Sequence, residues 1–483
     1  MSVFDHFVKL TQIPRGSGNE KAVSDYVKSF AEGLGLKTIQ DEWNNLVIYK
    51  NGTSGYENKK PIILQAHLDM VCEKNVDTNH DFLADPIKMY TDGDLLKAEG
   101  TTLGADNGIG VAFCMELMQD GTNHPPLEII LTTEEETGMG GAENIDVSLL
   151  KSKRMINLDS SEEDRFTMGC AAGVTIEYQL GADYMPALKN DRFYSLSVKG
   201  LKGGHSGEDI NKERGNAIKI LASLFYGIDG AHIAKISGGM KINAIPREAE
   251  AIIQFVDDEI GYDDDDEEIL IDIVGVAKSK LDELIQDLKV QYRTSDPDLV
   301  IEFKKVEGVE RILTRSKSYD ITSAIILMPS GVIENSVEIK GLVNASNNIG
   351  VVETEDKYVK IWCMSRGAAE LYNKQTEEKI KTLSNNVGGY VYFTQRSPAW
   401  PYDPNSELLK SAVVVYKEVF DREPIITAIH AGLECGIFSQ KIEGLDIISF
   451  GPEIKDLHTP DERLSISSTN KMFDMLQKLL ASL

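Results

Sequence analysis

The chain has 483 residues, and its 77 acidic and 50 basic side chains give a formal net charge of -27. This length exceeds what one compact core usually holds, so we expect two or more domains. The negative charge argues against nucleic acids and anionic membranes as partners, because both carry negative charge themselves. A hydrophobic content of 42% is ordinary for a soluble globular protein.

The cysteines and the N-terminal segment indicate the compartment. The five cysteines are scattered along the chain without a CxxC pair, which predicts a reducing environment and no disulfide framework. The N-terminal segment carries charges where a signal peptide needs an apolar core. No apolar run approaches the roughly 18 residues of a membrane span. We therefore expect a cytoplasmic protein that does not cross a membrane.

The first part of the chain alternates between helical and strand-like patterns. Residues 2–12 predict a short amphipathic helix, and Ser17 or Asn19 is expected to cap a second helix. This alternation predicts an α/β fold with a mixed, mostly parallel sheet flanked by helices. The apolar runs that predict its strands are 45–49, 61–67, 127–133 and 154–159, with a helical pattern at 108–119 between them.

The pattern changes near residue 186, and we predict an inserted α+β lid domain over 186–394. Residues 1–185 and 395–483 would then form the main domain together. The acidic run at 257–268 is predicted to be a solvated surface loop, because it lacks the glycine and spacing of a calcium-binding EF-hand. The predicted lid elements are strands at 192–199, 239–243 and 249–256, and helices at about 212–226 and 320–328.

Acidic and histidine side chains stand at the ends of the predicted strands or in Gly-rich turns, where an α/β sheet presents its functional groups. Two histidines with several carboxylates and no cysteine are typical of an N/O-ligand site for a divalent metal, with zinc favoured. If these side chains converge, the chain is a metal-dependent hydrolase. They are His67, Asp69, Asp106, Glu135, Glu136, Asp159 and His458.

Each of these residues also has an ordinary structural interpretation. Asp106 could cap a helix, and His67 and Asp69 could be a core histidine beside a turn aspartate. His458 could be a turn residue, and the acidic run at 134–136 a solvated loop. The joint occurrence of all of them at strand ends favours the metal site. His205 has no acidic neighbour suited to share a metal, so an oxyanion donor or an exposed turn histidine remain its alternatives.

Seven motifs resemble the M20 metallopeptidase family, in particular its aminoacyl-histidine dipeptidase branch. They are HLDMV, GADNGIG, EEETGMGGA, LDSSEE, GGHSGEDI, AIHAGLECG and DLHTPDE, in the family's order over positions 67–463. The resemblance implies that Asp69 orients His67 and that Glu135 is the general base, a register chosen because Gly138 follows. It implies two metal sites that share Asp106, with the ligand sets His67, Asp106, Asp159 and Asp106, Glu136, His458.

The resemblance also implies roles in the predicted lid and near the end of the chain. His205 would stabilise the oxyanion. In members with a short lid this histidine comes from a second subunit, so the resemblance makes a homodimer through the lid possible. The larger lid here makes a histidine in cis conceivable and the dimer less secure. The implied substrate-binding residues are Arg366, Gly432, Asn243, Asn344 and His430.

The resulting hypothesis is a cytoplasmic dipeptidase that acts on small peptides and holds two Zn²⁺ per chain, with Co²⁺ or Mn²⁺ as substitutes. Its substrates would be Xaa-His and other unblocked dipeptides, β-Ala-His included, and its main domain would be catalytic. One alternative is an M20 amidohydrolase acting on N-acyl amino acids. Another is a metal-dependent peptide binder without catalysis, which the complete set of ligand and base residues disfavours.

Overall fold

A computed structural model describes residues 2–119, 121–256, 259–262 and 268–483. The chain forms two compact units. Unit 1 comprises Met1–Cys170, Trp400–Ala428 and Leu433–Leu483, and unit 2 comprises Ala171–Ala399 and Ile429–Gly432. Unit 2 therefore begins earlier than the predicted boundary at 186 and ends later than 394.

The helices of the described residues are distributed over both units. The α-helices are α1 (Val3–Leu10), α2 (Lys21–Gly33), α3 (Ala105–Gln119), α4 (Glu135–Gly138), α5 (Gly140–Asn144), α6 (Ala217–Tyr226), α7 (Ile273–Gln291), α8 (Arg315–Leu327), α9 (Glu370–Val387), α10 (Glu407–Phe420), α11 (Glu434–Lys441) and α12 (Ile466–Ser482). Short 3-10 helices lie at Val147–Leu149 and Ile210–Lys212.

The strands also alternate with the helices along the chain. They are β1 (Lys37–Gln40), β2 (Leu46–Lys50), β3 (Ile62–His67), β4 (Met89–Asp92), β5 (Leu95–Ala98), β6 (Leu127–Thr132), β7 (Arg154–Asn157), β8 (Arg165–Cys170), β9 (Ala172–Gly181), β10 (Tyr184–Pro186), β11 (Phe193–Lys199), β12 (Gly204–His205), β13 (Ala231–Gly238), β14 (Ala244–Ile245), β15 (Ala249–Phe255), β16 (Glu259–Tyr262), β17 (Glu268–Ile271), β18 (Val300–Lys305), β19 (Arg311–Leu313), β20 (Gly331–Asn335), β21 (Val343–Thr354), β22 (Tyr358–Gly367), β23 (Tyr390–Ser397), β24 (Ile425–Ile429), β25 (Asp446–Ser449), β26 (Ile454–Lys455) and β27 (Arg463–Ser465).

The main sheet of unit 1 has a parallel centre. Its strand order over the described residues is β1-β2-β6-β3-β7-β25-β8-β24. The pairs β6–β3, β3–β7 and β7–β25 are parallel, whereas β1–β2, β2–β6 and β25–β8 are antiparallel. Every residue of β3 and β6 is buried, as expected for parallel strands that helices cover on both faces. The sheet is thus mixed, and its centre is parallel as the sequence pattern predicts.

The central strands end at one edge of this sheet. β3 ends at His67 opposite Thr132, the last residue of β6, and β7 ends at Asn157 opposite Gln65. Because parallel strands end at the same edge, the segments that follow them are brought together there. These segments carry most of the predicted metal ligands.

Unit 2 is built on a second, antiparallel sheet. Its strand order among the described residues is β18-β11-β15-β13-β21-β22-β9-β23, with β20 paired to β21. β9 pairs with β22 along its whole length and also with β23, which explains why unit 2 begins at 171 and not at the predicted 186. Helices α6, α8 and α9 contribute side chains to its buried core.

Two predicted local features are wrong. The N-cap of α2 is Glu20, without a side-chain capping bond, and Ser17 donates instead to Asp69. The segment 239–243 is no strand, because β13 ends at Gly238 and Gly239 turns the chain with a φ of 70°. That conformation suits glycine.

Three further predictions concern the acidic run, membranes and cysteines. Residues 257–258 and 263–267 of the predicted acidic loop lie outside the described residues, and its residues 259–262 and 268 belong to β16 and β17. No helix in the described part of the chain has the length and apolar character to cross a membrane. The five cysteines are free thiols.

Candidate metal centre

His67 and Asp69 form a buried pair at the end of β3. Both side chains are almost fully buried, and the Nδ1 atom of His67 lies 3.2 Å from Oδ1 of Asp69. Asp69 also accepts hydrogen bonds from the Ser17 hydroxyl at 2.7 Å and from the backbone N–H groups of Glu135 and Glu136 at 3.1 and 3.2 Å. Asp69 therefore holds both the histidine ring and the start of the acidic turn.

Asp106 lies between two histidines. Its Oδ1 atom is 3.2 Å from Nε2 of His67, and its Oδ2 atom is 3.2 Å from Nε2 of His458. Asp159 Oδ1 lies 3.5 Å from the same nitrogen of His67, and Glu136 Oε1 lies 3.1 Å from that of His458. The structure thus gathers two groups, each with one histidine and one further carboxylate, and both share Asp106.

The donor atoms and charges of this cluster fit divalent metal ions. Ligand atoms of His67, Asp106 and Glu136 lie within 4.8 Å of one another, and they are the nitrogen and oxygen donors that zinc accepts. Burial lowers the pKa of His67, but Asp159, Asp106 and Asp69 outweigh it and raise that pKa well above its ordinary value. The carboxylates therefore favour positive charge between them.

The same electrostatics act on the other residues of the cluster. Hydrogen bonds to Asp106 and Glu136 raise the pKa of His458 to about 11. Burial raises the pKa of Asp159 to about 6. Groups with such opposed pKa shifts in one place are typical of functional sites, where burial and neighbouring charges are arranged to shift pKa values.

The acidic turn after β6 gives Glu135 and Glu136 different surroundings. Glu134 has a left-handed backbone, with a φ of 55°, and the short helix α4 follows it directly. The Glu136 carboxylate is turned to His458, as the distance above shows. Burial raises the pKa of Glu135 well above its ordinary value, with further contributions from Asp159 and Glu136. A carboxylate with a raised pKa suits proton transfer near neutral pH.

A buried polar network lies next to the ligands, and the sequence interpretation missed most of it. Glu434 is 1% exposed and accepts hydrogen bonds from Gln65 at 2.6 Å and from Thr132 at 2.7 Å. Burial raises its pKa to about 8. Asn157 donates to Gln65 and accepts from Ser449 at 2.5 Å. The one sequence signal for these residues is spacing, since Gln65 and Asn157 each stand two residues before a predicted ligand in a predicted strand.

In unit 2 the structure brings His205 and Arg366 together. Nη2 of Arg366 lies 3.4 Å from Nε2 of His205, and the Arg366 side chain is 8% exposed. Burial lowers the pKa of Arg366 to about 10. Burial also lowers the pKa of His205, and the positive charge of Arg366 lowers it further. His430 is also buried and bonds to Ser346 at 2.7 Å, and burial together with Arg366 lowers its pKa to about 3. A buried guanidinium beside neutral imidazoles is suited to bind an anion.

The other predicted substrate residues of unit 2 are placed differently. The Asn344 side chain donates to the Tyr372 hydroxyl at 3.2 Å. Asn243 lies in the turn before β14, where its carbonyl accepts the Ser206 N–H at 2.9 Å. Gly432 lies in the loop between β24 and α11.

Comparisons with known proteins agree on one family. The sequence pattern of Peptidase family M20/M25/M40 matches residues 63–482. The "Cytosol non-specific dipeptidase" of Escherichia coli (strain K12) is 36% identical over 483 residues, which cover 99% of this chain and 96% of that protein. The crystal structure of aminoacylhistidine dipeptidase from Vibrio alginolyticus has a TM-score of 0.88 at 33% identity and covers 100% of this chain and 96% of that one.

A more distant structure shares the fold. Aminopeptidase PepT from Bacillus cereus ATCC 10987 has a TM-score of 0.56 at 13% identity and covers 99% of this chain and 97% of that one. At this identity the likeness concerns the fold alone.

Proposed function

The chain belongs to peptidase family M20, and on that premise we propose that it is a metal-dependent dipeptidase. It would release the N-terminal residue from Xaa-His and other unblocked dipeptides, β-Ala-His included. The observation that carries the proposal is the position of Asp106, which offers one carboxylate oxygen to each of two histidine-centred groups. The names of the Escherichia coli and Vibrio relatives support the same reaction class.

The proposed cofactor is a pair of zinc ions, for which Co²⁺ or Mn²⁺ could substitute. His67 and Asp159 would hold one ion and His458 and Glu136 the other, with Asp106 shared between them. The oxygen and nitrogen donors, the two groups and the favoured positive charge all support this assignment. When bound, the ions supply Lewis acidity that polarises the scissile carbonyl and acidifies a water molecule.

Glu135 is the proposed general base. Its buried carboxylate would accept a proton from the attacking water and then deliver that proton to the leaving amine. The raised pKa of Glu135 supports both transfers, because it makes the carboxylate a stronger base towards the water and keeps the carboxyl protonated near neutral pH until the leaving amine takes the proton. Asp69 would keep the turn in place through its hydrogen bonds to the backbone of Glu135 and Glu136.

The remaining roles concern unit 2 and the dipeptide. Arg366 would bind the substrate carboxylate, with Gly432 providing a backbone N–H, and His205 would stabilise the oxyanion. Three further residues are proposed to bind the polar ends of the dipeptide. They are Asn243, Asn344 and His430.

Two properties of the whole protein accompany this function. The Escherichia coli relative is named as a cytosol enzyme, and we propose the same compartment for this chain. A homodimer through unit 2 remains a prediction, and the molar mass of the protein in solution tests it.

A metal-restoration assay tests the proposed function. The purified protein is stripped with a chelator and assayed by amine release after addition of Zn²⁺, Mn²⁺ or Co²⁺. The substrates are β-Ala-His, several α-dipeptides, the N-acetyl forms of the same dipeptides, and N-acetyl amino acids. We expect metal-restored cleavage of the free dipeptides only. Cleavage of N-acetyl amino acids instead would establish the amidohydrolase alternative, and a protein that binds no metal would refute the proposal.

A further inference from the structure

Glu462 is a buried carboxylate that binds four consecutive backbone N–H groups. It lies four residues after His458 and is 2% exposed. Its Oε2 atom accepts from Leu103 and Gly104 at 2.7 and 2.9 Å. Its Oε1 atom accepts from Ala105 and Asp106 at 2.8 and 3.2 Å. Glu462 therefore joins the segment that carries His458 to the segment that carries Asp106.

Arg15 is a buried guanidinium that binds the carbonyl groups of the neighbouring segments. It is 2% exposed, and its Nη1 atom donates to the carbonyls of Leu68 and Asp69, both at 2.8 Å. Its Nη2 atom donates to the carbonyl of Gly104. The backbone at Gly104 has a φ of 71°, and a Cβ atom there would lie 2.6 Å from Nη2 of Arg15, so this turn is packed closely around the guanidinium.

Together these two charges connect three segments of the metal centre. Arg15 joins the residues that follow His67 to the turn before Asp106, and Glu462 joins that turn to the segment of His458. Their hydrogen bonds go to the backbone of these segments, so Arg15 and Glu462 act on the positions of the ligands without being ligands. Burying two charges is costly, and hydrophobic residues of similar volume often stabilise a fold as well or better.

We propose that Glu462 and Arg15 are positioning residues for the metal centre, so that metal retention depends on them. This inference rests on the proposed function, because it takes His67, Asp106 and His458 to be metal ligands. The bridging position of Asp106 requires its carboxylate to face both histidines at once. The hydrogen bonds from the backbone before Asp106 to Glu462 fix the direction in which the Asp106 carboxylate projects.

The hydrogen bonds that Glu462 accepts predict the effect of an isosteric substitution at this position. Glu462→Gln keeps the shape of the side chain but replaces one acceptor oxygen with an NH₂ group, which then faces two N–H donors. These donors lose their partners, and the turn before Asp106 must shift. Loss of a residue that orients metal ligands typically weakens metal binding by about ten- to a hundred-fold, and we expect an effect of this size.

The second variant and the control separate positioning from general stability. Arg15→Lys keeps the buried charge, but its single ammonium group does not span the three carbonyls that the guanidinium reaches. Glu128→Gln is the matched control, since Glu128 is also buried, at 4% exposed, and also binds backbone N–H groups, those of Lys151 and Ser152. It lies near the start of β6, at the end away from the ligands.

The experiment measures metal affinity by chelator competition on the full-length wild type and the three variants. The Co²⁺-loaded forms are compared by absorption spectroscopy, and the metal-free forms by thermal unfolding. We expect Glu462→Gln and Arg15→Lys to lose metal about ten- to a hundred-fold more readily and to show altered Co²⁺ spectra, while Glu128→Gln retains wild-type affinity and spectrum.

The other outcomes overturn the proposal in distinguishable ways. If the variants differ only in thermal stability and keep wild-type metal affinity, Glu462 and Arg15 are structural residues. If affinity falls in all three variants in proportion to the stability of the metal-free protein, the positioning role is also refuted. A wild-type protein that binds no metal would overturn the proposed function as well. This outcome is distinguishable, because it is measured on the wild type and does not depend on the variants.

Discussion

Replacing Asp69 with asparagine should weaken the metal centre without changing the fold. The two oxygens of Asp69 each accept two contacts. Oδ1 faces His67 and the N–H of Glu135, and Oδ2 faces Ser17 and the N–H of Glu136. Its pKa is about 2, because the contacts with His67 and Ser17 outweigh the effect of burial. Asp69 is therefore ionised throughout the neutral range.

The size of the effect follows from these contacts. In Asp69→Asn one oxygen remains for His67 and Glu135, and the new NH₂ group replaces Oδ2. The Ser17 hydroxyl can rotate and accept from that group, but the backbone N–H of Glu136 cannot. One hydrogen bond to a charged acceptor is lost, which costs about 1.5–3 kcal/mol. If this free energy is lost from the metal-bound state, metal affinity decreases about 10- to 150-fold, at 1.4 kcal/mol for each factor of ten.

The assay is chelator competition with Asp69→Asn, combined with dipeptide turnover at saturating metal. Ser17→Ala is the control, because it removes one donor and leaves the carboxylate and its other contacts in place. We expect an effect of less than about tenfold for the control. Metal affinity equal to that of the wild type in Asp69→Asn would refute the claim that Asp69 orients His67 and the acidic turn.

Three further changes test the proposed roles of residues in each of the two units. Glu135→Gln should keep wild-type metal content and lower kcat about 10²- to 10⁴-fold, the range for loss of a general base; near-normal kcat would assign the base elsewhere. Arg366→Lys should raise KM for dipeptides about tenfold or more, because lysine does not reproduce the bidentate contact with a carboxylate. Dipeptide amides lack that carboxylate, so their KM should be the same for the wild type and the variant. The pKa of His430 is about 3 in the folded chain and about 6.5 when unfolded, so the unfolded state binds more protons between these values. Stability should therefore fall with decreasing pH below about 6.5, by up to 1.4 kcal/mol per pH unit from this residue. The His430→Gln variant should show a smaller slope in thermal unfolding between pH 4.5 and 6.5, and an unchanged slope would contradict the assignment.

The residues at strand ends could be predicted because their signal is local. His67 follows an apolar run that becomes β3, and Glu135 and Glu136 follow the run that becomes β6. Strand direction then places both at one sheet edge, where Asp159 also lies beyond β7. The distances from His67 and His458 to their carboxylates agree with the grouping that the family resemblance implied. The roles of these residues as ligands and base remain proposals.

The sequence could not reveal the residues that support this centre, because their partners are distant in the chain. Ser17 was predicted to cap a helix, yet its hydroxyl binds Asp69, 52 residues later. Glu462 stands in a polar turn that any exposed loop could have, and its four partners lie more than 350 residues earlier. Arg15 follows a proline in a segment without periodicity. Only the tertiary structure distinguishes such residues from solvated surface charges.

The polar residues beside the strand ends differ from Arg15 and Glu462, because two of them, Gln65 and Asn157, carry no charge. On a strand, residues two apart point to the same face, so Gln65 accompanies His67 on β3, and Asn157 is the last residue of β7, two positions before Asp159. These neighbours are neutral amides, and burial raises the pKa of Glu434, which accepts a hydrogen bond from Gln65, to about 8. A further ionised carboxylate next to several buried carboxylates would raise their pKa values, so that protons would compete more strongly with a cation for them. Hydrogen-bonded amides instead fix the strands while leaving the carboxylates of the proposed ligands as the negative charges that would attract a metal ion.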